Sequence, residues 1–341
     1  MGNGIEACLK GRHLKIFERA KAHSDNLVAR VKDEVSAFLK EKGLSEQGLC
    51  FIVIGSVGRR EALQASDIDF VPIAADEARL QQYLPHDQDL RARLKDKLNT
   101  KVSKGEELTK PTTIGDLTAP ESIGGDSDTS AQLTKRVLLL TESAQAGGEL
   151  GLRDIRSKLL DAYADQERTS GRHVLSLCND ISRYYKTLCI EYKSKIDEKQ
   201  LDWCTRNVKL RHSRKVWFFA NIMAVSSLAE QHPQGEDIFR NALLDAFEEP
   251  PVERLAKSIN GQRLALGRLL ESYAYFLEFM SREENRKALS NVDHEKRYEM
   301  VLSNPFPSMK FNSDLIHAEI MAIMEELGVS MRSRIMGWFM L

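Results

Sequence analysis

Hydrophobic side chains recur at helical spacing near the start of the chain. Between His13 and Lys42 most of them are separated by three, four or seven positions, and mainly polar residues fill the intervals. Such spacing places the apolar side chains on one face of an α-helix. Gly43 follows a basic last turn, which is typical of a helix end. The pattern predicts one long amphipathic helix over residues 13–42.

Two short apolar runs follow this helix, and both are typical of buried strands. The first, residues 50–54, ends in a Gly-Ser-Val-Gly turn at residues 55–58, which supplies backbone freedom and a hydroxyl group. The second run, residues 66–73, carries Asp67 and Asp69. Because alternate residues of a strand share a face, these two carboxylates are expected to project together.

Between the second apolar run and residue 130 the pattern is weaker. A charged segment over residues 87–98 predicts a helix, and residues 101–108 are predicted to form one more strand. Proline, glycine and small polar residues then dominate residues 109–130, which predicts a long loop. Because a loop of this length often has a functional role, we interpret it as the lip of a site or as the crossing between domains.

Helical spacing dominates the rest of the chain. A helix is predicted to begin near Leu133 and to end near residues 147–148, and no strand-like alternation recurs. The chain is therefore expected to divide into a domain that contains the strands, residues 1–130, and an all-helical domain, residues 131–341. The further predicted helical segments are residues 172–195, 203–219, 238–247, 264–279 and 315–327.

Composition limits the classes of protein. At 341 residues the chain is long enough for two domains, each with a core. Its net charge of −1 argues against a protein whose main task is to grip long nucleic acid. The five cysteines lack metal-type spacing, and the first residues lack a signal-peptide pattern. No apolar run approaches the roughly 18 residues of a membrane-spanning helix. We therefore expect a cytoplasmic protein.

The paired aspartates indicate a metal site. Two carboxylates held side by side repel each other, and a divalent cation that prefers oxygen ligands relieves this repulsion. Together with the Gly55-Ser56 turn, Asp67 and Asp69 predict a site for magnesium and a triphosphate. The alternative is that both aspartates are solvent-facing strand residues. It is disfavoured because paired aspartates inside an apolar strand are costly without a cation.

The order of these motifs resembles a known signature. Residues 55–61, Gly-Ser-Val-Gly-Arg-Arg-Glu, followed by residues 66–69, Ser-Asp-Ile-Asp, resemble the DNA polymerase beta-type nucleotidyltransferases. Within that superfamily, the pattern is nearest to the PII uridylyltransferase and glutamine synthetase adenylyltransferase type. The resemblance implies an α+β fold, with a small mixed-sheet domain followed by a larger all-helical domain. It also implies an enzyme that moves a nucleoside monophosphate to a hydroxyl acceptor and releases pyrophosphate.

The resemblance assigns roles to individual residues. Gly55 and Ser56 would hold the phosphates of ATP or another nucleoside triphosphate through backbone N–H groups and a hydroxyl. Asp67 and Asp69 would be the catalytic pair and would bind one or two Mg²⁺ or Mn²⁺ ions. These ions would neutralise the triphosphate and help the pyrophosphate to leave.

Basic residues are candidates for phosphate binding. Arg59 and Arg60 either bind phosphate or form an ion pair, with Glu61 or a neighbouring helix, that supports the turn. Nucleotidyltransferases also commonly hold the triphosphate with a lysine or arginine of the helical domain. The alternative for each of these residues is a solvated helix face with i,i+4 pairs. The helical-domain candidates are Arg183, Lys209, Arg211 and Arg214.

A third carboxylate is usual in the family, on a later strand, and this sequence does not show one plainly. The best strand candidate carries Lys101 where an acid is expected, and the alternatives are Glu106, Glu107 and Asp116. If the third acid is missing, we expect a slow enzyme or a degenerate nucleotide-binding regulatory module without transferase activity.

A second resemblance predicts a different activity. Arg206-Asn207 followed by His212 is similar to the Arg-Asn…His pattern of the helical HEPN ribonucleases. However, six residues correspond to about 600° of helix rotation, so Arg206 and His212 do not share one face well. This alternative predicts that the helical domain cuts RNA.

The predicted partners follow from the leading hypothesis. They are a nucleoside triphosphate and an acceptor on a protein or a small molecule, because the near-neutral charge favours these over tRNA. Long nucleic acid and membranes are not expected as partners. A homo-oligomer formed through the helical domain is a further expectation.

Overall fold

A computed structural model gives the fold of the protein, an α+β arrangement of a small mixed sheet and many helices. It divides into two compact units. The sheet unit contains Ala20–Asp180 and Glu236–Pro250. The helical unit contains Met1–Arg19, Ile181–Gly235 and Pro251–Leu341. The predicted division after residue 130 stays a prediction. The structure describes residues 4–64, 66–119, 123, 128–165, 175–197, 202–232, 236–259 and 263–340.

Four strands form the sheet of the sheet unit, in the order β3-β2-β1-β4. Strand β1 pairs antiparallel with β2 and with β4, and β2 pairs parallel with β3. The predicted mixed sheet is therefore confirmed. The strands are β1 (Leu49–Ile54), β2 (Asp69–Ala74), β3 (Thr112–Thr113) and β4 (Ala144–Gln145).

Helices make up most of the described chain, and every helical segment predicted from the sequence overlaps one of them. Two π-helical segments, Leu210–Arg214 and Met336–Met340, interrupt or follow the α-helices. The α-helices are α1 (Gly11–Glu41), α2 (Gly55–Gly58), α3 (Glu77–Tyr83), α4 (Asp87–Leu98), α5 (Ile114–Thr118), α6 (Ser130–Thr141), α7 (Leu152–Asp165), α8 (Leu175–Asp197), α9 (Trp203–Lys209), α10 (Lys215–Gln231), α11 (Glu236–Glu248), α12 (Pro251–Ser258), α13 (Arg263–Ser281), α14 (Glu283–Ser290), α15 (Phe306–Glu326) and α16 (Val329–Ile335).

The core of the sheet unit forms where α1 packs against the sheet. Val31 and Val35 of α1 are fully buried, at the helical spacing seen in the sequence. The rings of Phe51 in β1 and Phe70 in β2 stack with centroids 5.6 Å apart, in the same apolar cluster. Helix α1 ends before Gly43, which has a left-handed φ of +67° and therefore favours glycine. The predicted long helix is confirmed.

Three expectations for the segment after β1 were wrong. The second strand begins at Asp69, because Asp69 pairs with the last residue of β1 and the residues before it have no partner on that strand. The predicted strand over residues 101–108 is a single bridge, in which Val102 pairs with Ile68. The first part of the predicted loop over residues 109–130 contains β3 and α5, and residues 120–122 and 124–127 of that range lie outside the described residues. Elements this short carry too little alternation to be recognised in a sequence.

The helix predicted from Leu133 to residues 147–148 ends earlier, at Thr141. Strand β4 then adds to the sheet, with Ala144 opposite Val53 of β1. A two-residue strand has no detectable period, so the sequence did not indicate that the chain returns to the sheet after residue 131.

The helical unit is built around a continuous helix made of α9, the π-helical segment Leu210–Arg214 and α10. Trp217 on this helix is fully buried. Arg254 of α12 donates to the buried side chain of Asn221, and Asn221 donates to the Trp217 carbonyl at 2.8 Å. In the part of the chain that the structure describes, none of the helices is long and apolar enough to cross a membrane.

Candidate active site

The turn between β1 and α2 brings a carboxylate directly over a glycine. Asp69 lies opposite Ile54 in the antiparallel β1–β2 pair, so it reaches the residue that follows, Gly55. A Cβ atom placed on Gly55 would lie 2.9 Å from Asp69 Oδ2. Gly55 also has a left-handed φ of +73°, which favours glycine for a second reason. The start of the second strand therefore lies directly beside the Gly-Ser turn, and their joint role in binding a ligand stays a prediction.

The two predicted aspartates share a face at the start of β2. Ile68 between them is fully buried and bridges to Val102. Because neighbouring residues of an extended chain point to opposite sides, Asp67 and Asp69 face away from that core. Asp67 is exposed and Asp69 is partly buried. The side chain of Asp67 and the hydroxyl of Ser56 make no hydrogen bond within the described ranges, so both remain available to a ligand.

A cleft of about 520 Å³ opens at these aspartates. The Ile68–Val102 bridge is parallel, so Lys101 and Ser103 lie on the same side of the sheet edge as the two aspartates. Charged residues of both signs line the cleft. They are Asp67, Asp69, Lys101, Lys104, Glu106 and Glu107.

The three candidates for a third carboxylate have different surroundings. Asp116 forms a capping box with Thr113 at the start of α5. Its carboxylate therefore already accepts a hydrogen bond from the Thr113 backbone N–H. Glu106 and Glu107 line the same cleft as the aspartates. Within the described part of the chain, no group of three or more His, Cys, Asp or Glu side chains is arranged to hold a metal ion. Lys101 stands in the position predicted for the acid.

The cleft nevertheless fits magnesium. This ion needs near-octahedral oxygen ligands, keeps several waters, and is usually held by one or two carboxylates together with substrate phosphates. Asp67 and Asp69 supply two such carboxylates. Because Gly55 has no Cβ, the carboxylate of Asp69 has room beside the turn that would face the phosphates.

Arg59 is buried in an ion-pair cluster. Its Nε lies 3.0 Å from Glu61 Oε2, and its guanidinium lies 2.6 Å from Glu142 Oε2. Glu142 follows α6 directly. The ion pairs of Arg59 therefore connect the segment after the Gly-Ser turn to the connection between α6 and β4. Of the two alternatives left open for Arg59, the structure shows the ion pair with Glu61. Glu142 was not recognised from the sequence because it is distant along the chain.

Arg60 and its neighbours fix the chain as it leaves α2. Arg60 has a left-handed φ of +61°, which is rare for a residue with a side chain, and it forms an ion pair with Asp25 of α1. Next to it, the buried hydroxyl of Ser24 accepts a hydrogen bond from the Ala62 N–H at 2.9 Å. Asp25 and Ser24 are site-supporting residues that no local motif indicated.

Arg91 of α4 anchors the cleft-lining segment, and no local pattern in the sequence indicates this role. Its guanidinium pairs with buried Asp87 at 2.8 Å. It also donates to the carbonyl oxygens of Phe70, Ser103 and Thr109 at 3.0, 2.9 and 2.8 Å. One buried cation thus joins β2 to both ends of residues 103–109, which form one wall of the cleft.

Replacing Arg91 by methionine is expected to destabilise the protein by about 3–5 kcal/mol, because Asp87 would be left as a buried, unpaired charge. Urea unfolding measures the change. Arg93→Met on the same helix is the matched control. Arg93 is only partly buried and pairs with Glu34 and Glu41, so its loss should cost about 1 kcal/mol or less. Equal costs for the two variants would contradict the anchoring role.

The four predicted cations of the helical domain lie in the helical unit. Arg183 and Lys209 are exposed, and Arg211 and Arg214 are partly buried. Gly55, Ser56 and the two aspartates lie in the sheet unit. A role of these four cations in nucleotide binding stays a prediction.

His212, the candidate ribonuclease residue, is buried in the helical unit. Its Nδ1 lies 2.7 Å from the Val208 carbonyl, its Nε2 lies 3.1 Å from Asn312 Nδ2, and its ring stacks on Phe276. Burial lowers the pKa of His212 to about 4. With no exposed surface and both ring nitrogens engaged, this histidine cannot reach an RNA phosphate, and the geometry argues against the HEPN-type alternative.

Buried His212 should make folding depend on pH. The pKa of about 4 in the folded state lies below the ordinary value of about 6.5 for an unfolded chain. The unfolded state therefore binds more protons between these values, and stability should fall as pH falls through this window, by up to about 1.4 kcal/mol per pH unit. Urea unfolding of wild type and His212→Gln at pH 7.5 and pH 5 measures this. The dependence should be weaker in the variant, and identical dependences would contradict the assignment.

Part of the chain matches the model of a known protein family, and the match agrees with the geometry of the site in the general type of domain. Residues 11–101 match the model of a family described as "Putative nucleotidyltransferase DUF294". The matched region includes α1, β1, the Gly55 turn, Asp67 and Asp69. The match supports a nucleotidyltransferase-type domain, without a specific relationship to the uridylyltransferase or adenylyltransferase type. None of the curated proteins is significantly similar to the chain.

Proposed function

We propose that this protein is a magnesium-dependent nucleotidyltransferase. It would move a nucleoside monophosphate from a nucleoside triphosphate to a hydroxyl group on a protein or a small molecule. The observation that carries the proposal is the Asp69 carboxylate over the Gly55 turn, at an open cleft that also contains Asp67. The match of residues 11–101 to a nucleotidyltransferase family model supports the same reaction class.

Each part of the cleft has a role in this proposal. The Gly55-Ser56 turn binds the phosphates, because the first N–H groups of a helical turn have no intrahelical acceptor and the Ser56 hydroxyl is unengaged among the described residues. Asp67 and Asp69 hold Mg²⁺, or Mn²⁺ in its place. When bound, the ion neutralises phosphate charge and lowers the pKa of the attacking hydroxyl.

The transfer itself needs one bond to form and one to break. The acceptor oxygen forms a bond to the α-phosphorus, and the bond from this phosphorus to the oxygen that bridges to the β-phosphate breaks. Pyrophosphate leaves. Glu106 and Glu107 line the same cleft and are the carboxylates available there to accept the proton of the acceptor hydroxyl.

Pyrophosphate release tests this proposal. Purified protein is incubated with each of the four nucleoside triphosphates and Mg²⁺, with water and with candidate acceptors. Release that depends on magnesium and is lost in the Asp67→Asn, Asp69→Asn double variant is the expected result. Undiminished release by that folded double variant would refute the proposed site.

A nucleotide-binding regulatory module is the second candidate. The observation that favours it is Lys101, which lies beside the aspartates where the family resemblance predicts a third acid. An ammonium group there can bind phosphate without metal, but it cannot ligate a metal ion. Calorimetric binding of a nucleoside triphosphate with no pyrophosphate release under any condition would favour the module over the enzyme.

The proposed partners remain a nucleoside triphosphate and a protein or small-molecule acceptor. The net charge of −1 supports this choice over long nucleic acid, since it offers no overall electrostatic attraction to a polyanion. We propose a cytoplasmic location and assembly into a homo-oligomer through the helical unit. Light scattering of the purified protein measures the latter.

A further inference from the structure

Helix α15 of the helical unit carries apolar side chains on two opposite faces. Its inner face is buried, and Asn312 on that face donates to the Ser272 carbonyl of α13 at 2.9 Å. On the opposite face, Phe311 is 66% exposed and Leu315 is 41% exposed. Large apolar side chains that are exposed together are typical of a surface that binds another molecule.

The exposed apolar residues of α15 form a narrow stripe. Ala318, which is exposed, and Ala322, which is partly buried, continue the series that begins with Phe311 and Leu315. The intervals are four, three and four residues, which is the spacing of the core positions of a coiled coil. With 3.6 residues per turn, the four positions lie within about 60° of one another around the helix. The stripe has two large side chains followed by two small ones.

A groove widens the apolar surface at the start of this stripe. Its volume is about 510 Å³, and Phe311 forms part of its wall. Tyr275 of α13 and Met300 also line it, and both are exposed. Each partner in a stable dimer buries roughly 800 Å², which is more than a stripe of three helical turns provides. The groove supplies further area for such an interface.

The order of side-chain sizes along the stripe fits a second copy of the same helix that runs in the opposite direction. Antiparallel pairing about a two-fold axis at the middle of the stripe places Phe311 against Ala322 of the second copy. It also places Leu315 against Ala318 of the second copy. Each large side chain then faces a small one, and the two-fold axis makes every such contact occur twice.

The charges on one flank of the stripe favour the same arrangement. Lys310 lies near the start of α15, and Glu325 lies near its end. In the antiparallel pair these two residues of different copies are about 3 Å apart along the helix axis, given the rise of 1.5 Å per residue. A parallel pair would bring each of them to its own like charge. Lys310 already pairs with Asp314 at 2.7 Å, and Glu325 of the second copy would add a second carboxylate.

We propose that the exposed face of α15 is the interface of a two-fold symmetric homodimer, in which the α15 helices of two copies pair antiparallel. This inference rests on the homo-oligomer proposed above and names its surface. It does not rest on the nucleotidyltransferase activity, because α15 lies wholly in the helical unit.

Analytical ultracentrifugation over a range of protein concentrations tests the interface. Wild-type protein should be a dimer. Ala318→Glu should raise the dissociation constant at least about 100-fold, because two carboxylates would be buried against Leu315 of the opposite copies. Ala318 is exposed in a single copy, so thermal unfolding of the variant should show an intact fold. His317→Glu is the matched control. It adds the same charge at an exposed residue about 100° away around the helix, and should change the dissociation constant less than about threefold.

Charge reversal tests the antiparallel direction. Lys310→Glu and Glu325→Lys should each weaken the dimer by about three- to tenfold, since each replaces two exposed ion pairs by two like-charge contacts. An equal mixture of the two variants should dimerise as strongly as wild type, because the mixed dimer has opposite charges at both places. Single variants as stable as wild type would overturn the antiparallel pairing.

Two other results would overturn the proposal. A monomeric wild type would refute both the interface and the homo-oligomer, whether this face stays free or binds another protein. A dimer that Ala318→Glu leaves intact would refute the interface alone, and the homo-oligomer would stand. Pyrophosphate release is measured separately, so neither result is confused with failure of the proposed transferase activity.

Discussion

Asp69→Asn is expected to lower metal-dependent pyrophosphate release by about 10²–10³-fold, the usual effect of removing one preorganised electrostatic group from an active site. The β1–β2 register holds Asp69 opposite Ile54, so its carboxylate is fixed beside the Gly55 turn. An amide has similar size but no charge, so the change should reduce metal binding while the fold remains intact. Steady-state pyrophosphate release at saturating Mg²⁺ measures the loss of activity. Thermal unfolding measures whether the fold remains intact.

Asp67→Asn is expected to have a smaller effect on turnover than Asp69→Asn. Asp67 is exposed, and it precedes the strand instead of lying in it. Fewer constraints hold its carboxylate, so Asp67→Asn should reduce turnover less than Asp69→Asn does, and higher Mg²⁺ should restore part of the loss. A larger effect at Asp67 than at Asp69 would mean that the register of β2 is not what positions the metal.

Asp116→Asn is the matched control for both substitutions. Asp116 was a candidate third acid from the sequence, but its side chain caps α5. The change should cost about 1 kcal/mol of stability, as for a weakened helix cap, and should leave turnover per folded molecule unchanged. A loss of turnover comparable to that of Asp69→Asn would instead make Asp116 a metal ligand and would contradict the assigned capping role.

The sequence predicted those parts of the fold that are determined by residues close together along the chain. Helix α1 has a strong apolar period over many turns, and β1 is a continuous apolar run ended by glycine, so both were recognised with nearly correct bounds. The aspartate pair was recognised because two residues at strand spacing carry the same chemistry. In each case a short stretch of sequence contains all the residues that form the pattern.

The parts that were missed depend on contacts between distant segments. Arg91 looks like one more charge on a polar helix, yet it is buried against Asp87 and three carbonyl groups. Glu142 lies 83 positions from its partner Arg59. No window of sequence contains such a pair, and strand β4 is too short to show a period of its own. These features follow from the tertiary fold, not from local propensity.

The two glycines of the turn illustrate the same distinction. At Gly55 the nearest atom to a new Cβ would be the carboxylate oxygen of Asp69, which belongs to the proposed site. At Gly58 a Cβ would lie 2.0 Å from the carbonyl oxygen of Glu142 and 2.9 Å from that of Val53. From the sequence both glycines belong to one flexible turn, and only Gly55, with Ser56, is expected to bind phosphate. In the structure Gly58 is where α2 meets the backbone after α6.

Gly58→Ala is therefore expected to destabilise the protein by at least about 4 kcal/mol, at the upper end of the range for single substitutions. The atoms in conflict are backbone oxygens of β1 and of the α6–β4 connection, which cannot move aside as a flexible side chain would. Relief requires α2 to separate from residue 142. That movement would also pull Arg59 away from Glu142, leaving a buried carboxylate with a weakened ion pair. Urea unfolding, or the fraction of soluble protein, measures the loss.

Gly115→Ala is the matched control, since it makes the same chemical change in the short helix α5 of the same unit. A Cβ there would meet only Thr113 Oγ1, at an ordinary 3.6 Å. Alanine is the better helix former, so this variant should be as stable as wild type or more stable by about 0.5–1 kcal/mol. If Gly58→Ala proved equally harmless, the close approach of Gly58 to the Glu142 carbonyl would be refuted.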